Sequence, residues 1–250
     1  MPPTPEHFQG KSIVEHLREA RMRGMMASKE IHGTELPGSI SAGADAAKET
    51  AIALLILWIL SHHLAFPQAK LFFAFLLFSC GWLIWKAGRS ALLGWARMER
   101  LHRLIEEERW EIEHHRAQER SELVEMYRAK GLQGKLLDEV IEVLMADDNR
   151  LLRVMLEEEL GLTIEAYEHP LQHSAGAALG VIATLGLCLL GEWLSPSLGL
   201  PLVAAVCIGA ATALAAKLER NHVINALVWN FSVAALAAGV VHFTAQILFG

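Results

Sequence analysis

The sequence predicts an all-α membrane protein with five transmembrane helices and a helical domain inserted between the second and third. Three observations carry this. Hydrophobic residues make up 53% of the 250, against roughly 45–50% in soluble domains even with glycine counted. The apolar residues gather into two stretches before residue 88 and three after residue 173. Between them, residues 99–166 are rich in carboxylates and keep a helical period.

Each element follows in order. Residues 1–10 hold Pro2, Pro3, Pro5 and Glu6, lack the basic and apolar regions of a secretory signal, and read as disordered. Residues 11–32 read as an amphipathic helix with an apolar stripe of Ile13, Leu17, Met22 and Met25 set against Arg18, Arg21 and Arg23. Such a helix suits a membrane surface or a partner helix. Residues 33–47 are small and polar, a loop leading into the first span. The apolar run 50–60 is short of the roughly 20 residues a span needs, so the helix is expected from about Ile40 to His62, taking in Asp45, Lys48 and Glu49. Pro67 closes the turn, and the second span covers about residues 69–87. No breaker follows, so that helix runs on beyond the bilayer to His114 and His115. Three shorter helices, at about 117–129, 134–145 and 149–160, are delimited by Gly131, by Asp147 or Asp148, and by Gly161. The last three spans fall at about 174–194, 198–216 and 223–249. The domains are therefore 1–39, 40–87, 88–172 and 173–250.

The net charge is −6, and no basic stripe appears, which argues against a nucleic-acid partner. The Lys/Arg bias puts the N-terminal segment, the central domain and the loop at 217–222 on the cytoplasmic face of the bilayer. Cys80, Cys188 and Cys207 lie in apolar stretches without metal-site spacing and read as buried, inert thiols.

Inside the carboxylate-rich region, Glu108 and Glu111, Glu119 and Glu122, and Met155 and Glu159 recur at i,i+3 or i,i+4 spacing, so each pair shares a helix face. A glutamate-rich helix by itself is usually a solvated face. Here the pairs sit on consecutive helices joined by a short turn and can face one another. Carboxylate oxygens suit hard to borderline divalent ions, and a thioether tilts the choice toward Fe²⁺ and away from Mg²⁺ or Ca²⁺. Clustered carboxylates repel, so some should hold protons until a cation displaces them, making metal binding pH-dependent. Glu111-x-x-His114 matches half of a di-iron signature. Glu107, Glu113 and Glu125 read as solvated surface near the site.

Ionisable residues within a membrane are functional by default. Asp45 and Glu49 share a face at i,i+4, with Lys48 able to neutralise either. His242 is a proton carrier or a packing residue, His62 and His63 are interfacial anchors or exit ligands, and Glu192 is solvated at the outer interface. Gly209, Ala213 and Gly239 in the last two spans permit close helix packing, either within the chain or at a dimer interface.

ELVEMYRAKGL at residues 122–132 and MLEEELGLTIEAYEHPLQHSAGAAL at 155–179 resemble the vacuolar iron transporter (VIT) family, and the likeness runs in order over about residues 88–250. The resemblance implies a homodimer in a lipid bilayer, with a cytosolic helical metal-binding domain between spans two and three. It implies proton-coupled export of Fe²⁺, often Mn²⁺ as well, out of the cytosol, with no organic cofactor and no covalent reaction. The family's collecting glutamates fall on Glu108, Glu111, Glu119, Glu122 and Glu159, and its methionine on Met155; a second methionine is replaced by Leu156. The family's first-span G-A-N-D-G motif has its nearest equivalent in GADAAKET, making Asp45, with Glu49, the transport path. Its second-span S-M-x-x-G-E-Y motif keeps Gly88 but has Trp85 at the Met position and Arg89 at the Glu position. The implied exporter would sit in the cell (inner) membrane. The altered second-span motif keeps open a non-transporting membrane metal sensor or buffer.

Overall fold

The computed structural model describes residues 11–28, 38–162 and 169–249. The stretch expected to be disordered (1–10), the end of the first helix (29–32) and residues 163–168 lie outside the described residues. Among those described there are nine α-helices and no strand: α1 Ile13–Ser28, α2 Gly38–His63, α3 Gln68–His114, α4 Arg116–Ala129, α5 Gly134–Met145, α6 Asp148–Val154, α7 Pro170–Leu194, α8 Gly199–Leu218 and α9 Val223–Phe249. A π-helical turn, Met155–Glu159, extends α6. The helix expected from about Ile40 begins at Gly38, so the small, polar residues 38–47 are helical.

The chain divides into two compact units, residues 30–94 with 168–250, and residues 1–29 with 95–167. The first unit contains α2, the opening of α3, and α7 to α9. Among the described residues, four helices are long and apolar enough to cross a membrane: Lys70–His114 and the whole of α7, α8 and α9. The expected first span, α2, is not among them, because Asp45, Lys48 and Glu49 interrupt its apolar run. Leu54, Leu71, Phe75, Leu200 and Ile208 form this unit's core.

Helices α2 and α7 pack backbone to backbone. A Cβ on Gly43 would stand 3.0 Å from the carbonyl oxygen of Gly176. One on Gly176 or Gly180 would land on the carbonyl oxygen of Ser39 or Gly43. Four-residue spacing of small residues on both helices permits this approach. In the last two spans, a Cβ on Gly209 of α8 would stand 3.2 Å from Phe231 of α9, whereas Gly239 faces open space. Helix α7 begins with Pro170 and is capped by His169, whose Nδ1 accepts from Leu171 N–H at 3.2 Å. Glu192, expected to be solvated, is only 5% exposed. Cys188 and Cys207 are buried as expected, whereas Cys80 is exposed.

The second unit is built from α1, the end of α3, α4 to α6 and the π turn. Ser12 and Glu15 form a capping box at the start of α1: the Glu15 carboxylate accepts from Ser12 N–H at 3.1 Å, and Ser12 Oγ accepts from Glu15 N–H at 3.3 Å. The buried face of α1 is His16, Ala20 and Gly24, not the stripe read from the sequence; Met22 and Met25 are 51% and 61% exposed. Gly24 is required where it stands, since a Cβ would collide with the carbonyl oxygen of Leu160. Helix α4 ends at Gly131, whose φ of 94° closes the turn while Leu132 N–H donates to Tyr127 O at 3.2 Å. Asp147 caps α6, accepting from Arg150 N–H at 2.8 Å. The expected α-helix over 149–160 instead widens after Val154, where Leu160 N–H donates five residues back to Met155 O at 3.2 Å. Leu123, Ile141 and Leu151 centre one core cluster, and Leu101, Leu156 and Leu160 another.

Candidate metal centre

Helix α3 carries Glu108 and Glu111 in its last two turns and stops at His114. Helix α4 then presents Glu119 in its first turn and Glu122 three residues later. The π turn delivers Glu159, and α1 delivers His16. Glu108, Glu119 and Glu159 each offer an oxygen within 4.8 Å of the other two, and His16, Glu122 and Glu159 do the same. Glu159 belongs to both triads, so they form one continuous buried group. His16 Nε2 lies 3.7 Å from Glu122 Oε1 and 3.7 Å from Glu159 Oε1. Glu108 Oε1 is buried with no hydrogen-bond partner among the described residues.

The electrostatics follow from removing carboxyls from water and crowding them. Burial, then the charges of Glu159, Glu111 and Glu122, pushes the Glu108 carboxyl well above the usual range; Arg23 opposes this. Burial, then the charges of Glu108, Glu122, Glu159 and Glu111, raises Glu119 to about 11. Burial raises Glu122 to about 8, against a hydrogen bond from Glu159 that lowers it. Glu159 is also held well above its ordinary value, first by burial and then by Glu122 and Glu111. The hydrogen bond between Glu122 and Glu159 favours the proton on Glu159, so the pair titrates as a unit. At neutral pH the centre is a set of largely protonated, oxygen-rich ligands with one imidazole. A divalent cation can displace those protons and restore the charge balance.

Of the other sequence candidates, Glu111 is half-buried and belongs to neither triad, though its charge acts on all four buried carboxyls. Met155 is fully buried within the cluster of Ile112, Leu123 and Leu151, four residues before Glu159. Leu156 packs with Ala20, Leu101 and Leu160. Glu107 is half-buried and Glu113 exposed, and neither enters a triad. Glu125 pairs with Arg128 at 3.3 Å. His114 stacks on Trp110, and its Nδ1 donates to Trp110 O at 2.9 Å. Neither Glu111 nor His114 belongs to a metal-holding triad among the described residues. Sequence reasoning missed His16. His16, Ala20 and Gly24 recur every four residues on the inward face of α1, but in the sequence the apolar stripe of Met22 and Met25 outweighs that spacing.

In the other unit, each carboxylate expected on the transport path has a lysine partner. Lys48 Nζ is 2.7 Å from Asp45 Oδ1, and Lys86 Nζ is 2.5 Å from Glu49 Oε2. A cavity of about 190 Å³ is lined by Asp45, Lys48, Thr212, Glu219 and Asn230. A larger one of about 510 Å³ is lined by Lys48, Glu49, Trp82, Trp229 and Asn230.

No curated protein matches the chain. Residues 95–246 match the VIT family. That stretch runs from the end of α3 almost to the end of α9, well over half of the molecule, and it includes Glu108, Glu119, Glu122 and Glu159. The chain belongs to the VIT family.

Proposed function

We propose that this protein exports Fe²⁺ or Mn²⁺ from the cytosol in exchange for protons. Glu108, Glu111, Glu119, Glu122, Glu159 and Met155, joined by His16, collect the ion, and Asp45 and Glu49 pass it through the membrane. Family membership and four membrane-length apolar helices support a membrane protein that transports metal. The observation that carries the finer reading is the convergence of four buried glutamates and a histidine from α1, α3, α4 and the π turn. Burying and crowding carboxyls is costly, and a bound dication offsets that cost. On this reading α2 is the first of five spans, the collecting unit faces the cytosol, and the protein works as a homodimer in the cell membrane.

A second reading, a membrane metal sensor or buffer, is favoured by one specific observation. Lys48 and Lys86 already neutralise Asp45 and Glu49, the two carboxylates an ion would use. Proteoliposomes separate the readings. With Fe²⁺ or Mn²⁺ outside and a proton gradient imposed, an exporter gives gradient-dependent uptake that is lost on Asp45→Ala. A sensor gives no uptake while the full-length protein still binds the metal. Absence of both uptake and binding sinks both readings.

A further inference from the structure

His63, the last residue of α2, and His242 of α9 face each other, with His63 Nε2 3.0 Å from His242 Nδ1 and ring centroids 4.8 Å apart at a 54° tilt. This pairing joins residues 179 positions apart in the chain. We propose that His63 and His242 form a second site for a divalent transition-metal ion, at the opposite end of α2 from Asp45. Its chemistry stands on this geometry alone; its role as a release station rests on the transport reading above.

Three physical points support it. Two nitrogens bound at about 2.1 Å to one ion stand about 3.0 to 3.4 Å apart for angles between a right angle and the tetrahedral value. The pair is already at the short end of that range, so an ion can enter with ring rotation and little movement of the backbone. In the free pair one nitrogen donates to the other. A shift of tautomer moves that proton to the far side of its ring and frees both facing lone pairs, so metal entry needs no net change in protonation. The site also closes the C-terminal end of α2, where the helix dipole favours a cation.

The neighbouring His62 is occupied differently, stacking on Trp58 at 5.5 Å, and Phe243 packs edge-on against His242 at 5.4 Å. Two imidazoles supply half of a tetrahedral shell and leave the remaining positions to water. Such a site holds borderline ions weakly and exchanges them, unlike the enclosed glutamate centre. Along α2, Asp45 and His63 are separated by about 27 Å at the α-helical rise, close to the thickness of a bilayer core. A carboxylate station and an imidazole station therefore mark the two ends of one helix.

The test uses the full-length protein in detergent, with E108Q, E119Q, E122Q and E159Q introduced to silence the glutamate centre, and Zn²⁺ alone as the probe. Equilibrium dialysis should find one further Zn²⁺ bound. H63Q and H242Q should each weaken that binding by about a hundredfold, the usual scale for losing one arm of a chelate, and the double variant should abolish it. Because these substitutions also remove a helix contact, H63C/H242C is made in parallel under reducing conditions. It should retain one Zn²⁺ and show thiolate-to-metal absorption with Cd²⁺. Unchanged Zn²⁺ binding in H63Q overturns the proposal, as does loss of binding in H63C/H242C alongside the glutamine variants. The readings fail separately: absent uptake with the histidine-held Zn²⁺ intact removes only the transport role, and uptake with no such Zn²⁺ removes only this site.

Discussion

Replacing Glu119 by glutamine should stabilise the metal-free protein and weaken its hold on metal. Glu119 is fully buried, and burial with repulsion from Glu108, Glu122 and Glu159 raises its carboxyl to about 11. At pH 7 it is therefore protonated in the folded state and ionised in the unfolded state, so folding must take up a proton. With an unfolded value of 4.5, that uptake costs about 3 kcal/mol at pH 7, from 1.36 kcal/mol per unit. Because the folded value is the raised one, the stability from this group is complete below pH 4.5 and falls as pH rises toward 11. Glutamine has nearly the same shape and carries no proton debt. The variant should gain up to about 3 kcal/mol at pH 7, a slowing of about a hundredfold in amide exchange, and less than about 1 kcal/mol at pH 5. Hydrogen exchange of α4 peptides in the full-length protein, corrected for intrinsic rates, reads this directly. An E119Q protein that exchanges faster than wild type at pH 7, or gains equally at both pH values, would refute the reasoning.

Mn²⁺ should protect α4 and the π turn from exchange at pH 7 and lose affinity on acidification, by up to about tenfold per pH unit for each proton displaced; titration by isothermal calorimetry at pH 7 and pH 5 checks the slope. Gly24→Ala puts a Cβ against the carbonyl oxygen of Leu160, so α1 should detach, α1 amides should exchange faster, and metal affinity should fall with the loss of His16 while α5 stays protected. Gly176→Leu should force α2 from α7 and lower the thermal midpoint in detergent by several degrees, whereas Gly239→Leu, facing open space, should change it little. Leu123→Ala, at a fully buried position, should cost about 2–5 kcal/mol of stability.

Much of this architecture is written locally. The short helices follow Gly131, Asp147 and Gly161, because turn chemistry depends on neighbouring residues alone. The glutamate pairs are equally legible, since i,i+3 spacing fixes a face whatever surrounds it. Three features were not. The inward face of α1 is set by how closely Gly24 approaches Leu160, a tertiary contact that outweighs the apolar stripe of Met22 and Met25. The π turn at Met155–Glu159 leaves no periodic signature, yet it aims Glu159. The glycine seam lies between α2 and α7 because Ser39, Gly43, Gly176 and Gly180 are complementary across helices distant in sequence, which no single-helix pattern reveals.

Glu49 and Lys86 lie on consecutive helices, and that order matters for biosynthesis. The ribosome delivers α2 with Asp45 and Lys48 already able to pair, but with Glu49 uncompensated until α3 emerges with Lys86. An unpaired charge at the centre of an inserting helix costs about 2.5–3.5 kcal/mol. On the five-span reading proposed above, α2 is thus a poor candidate to enter a bilayer alone, and α3 would act as its chaperone in cis by carrying the missing counter-ion.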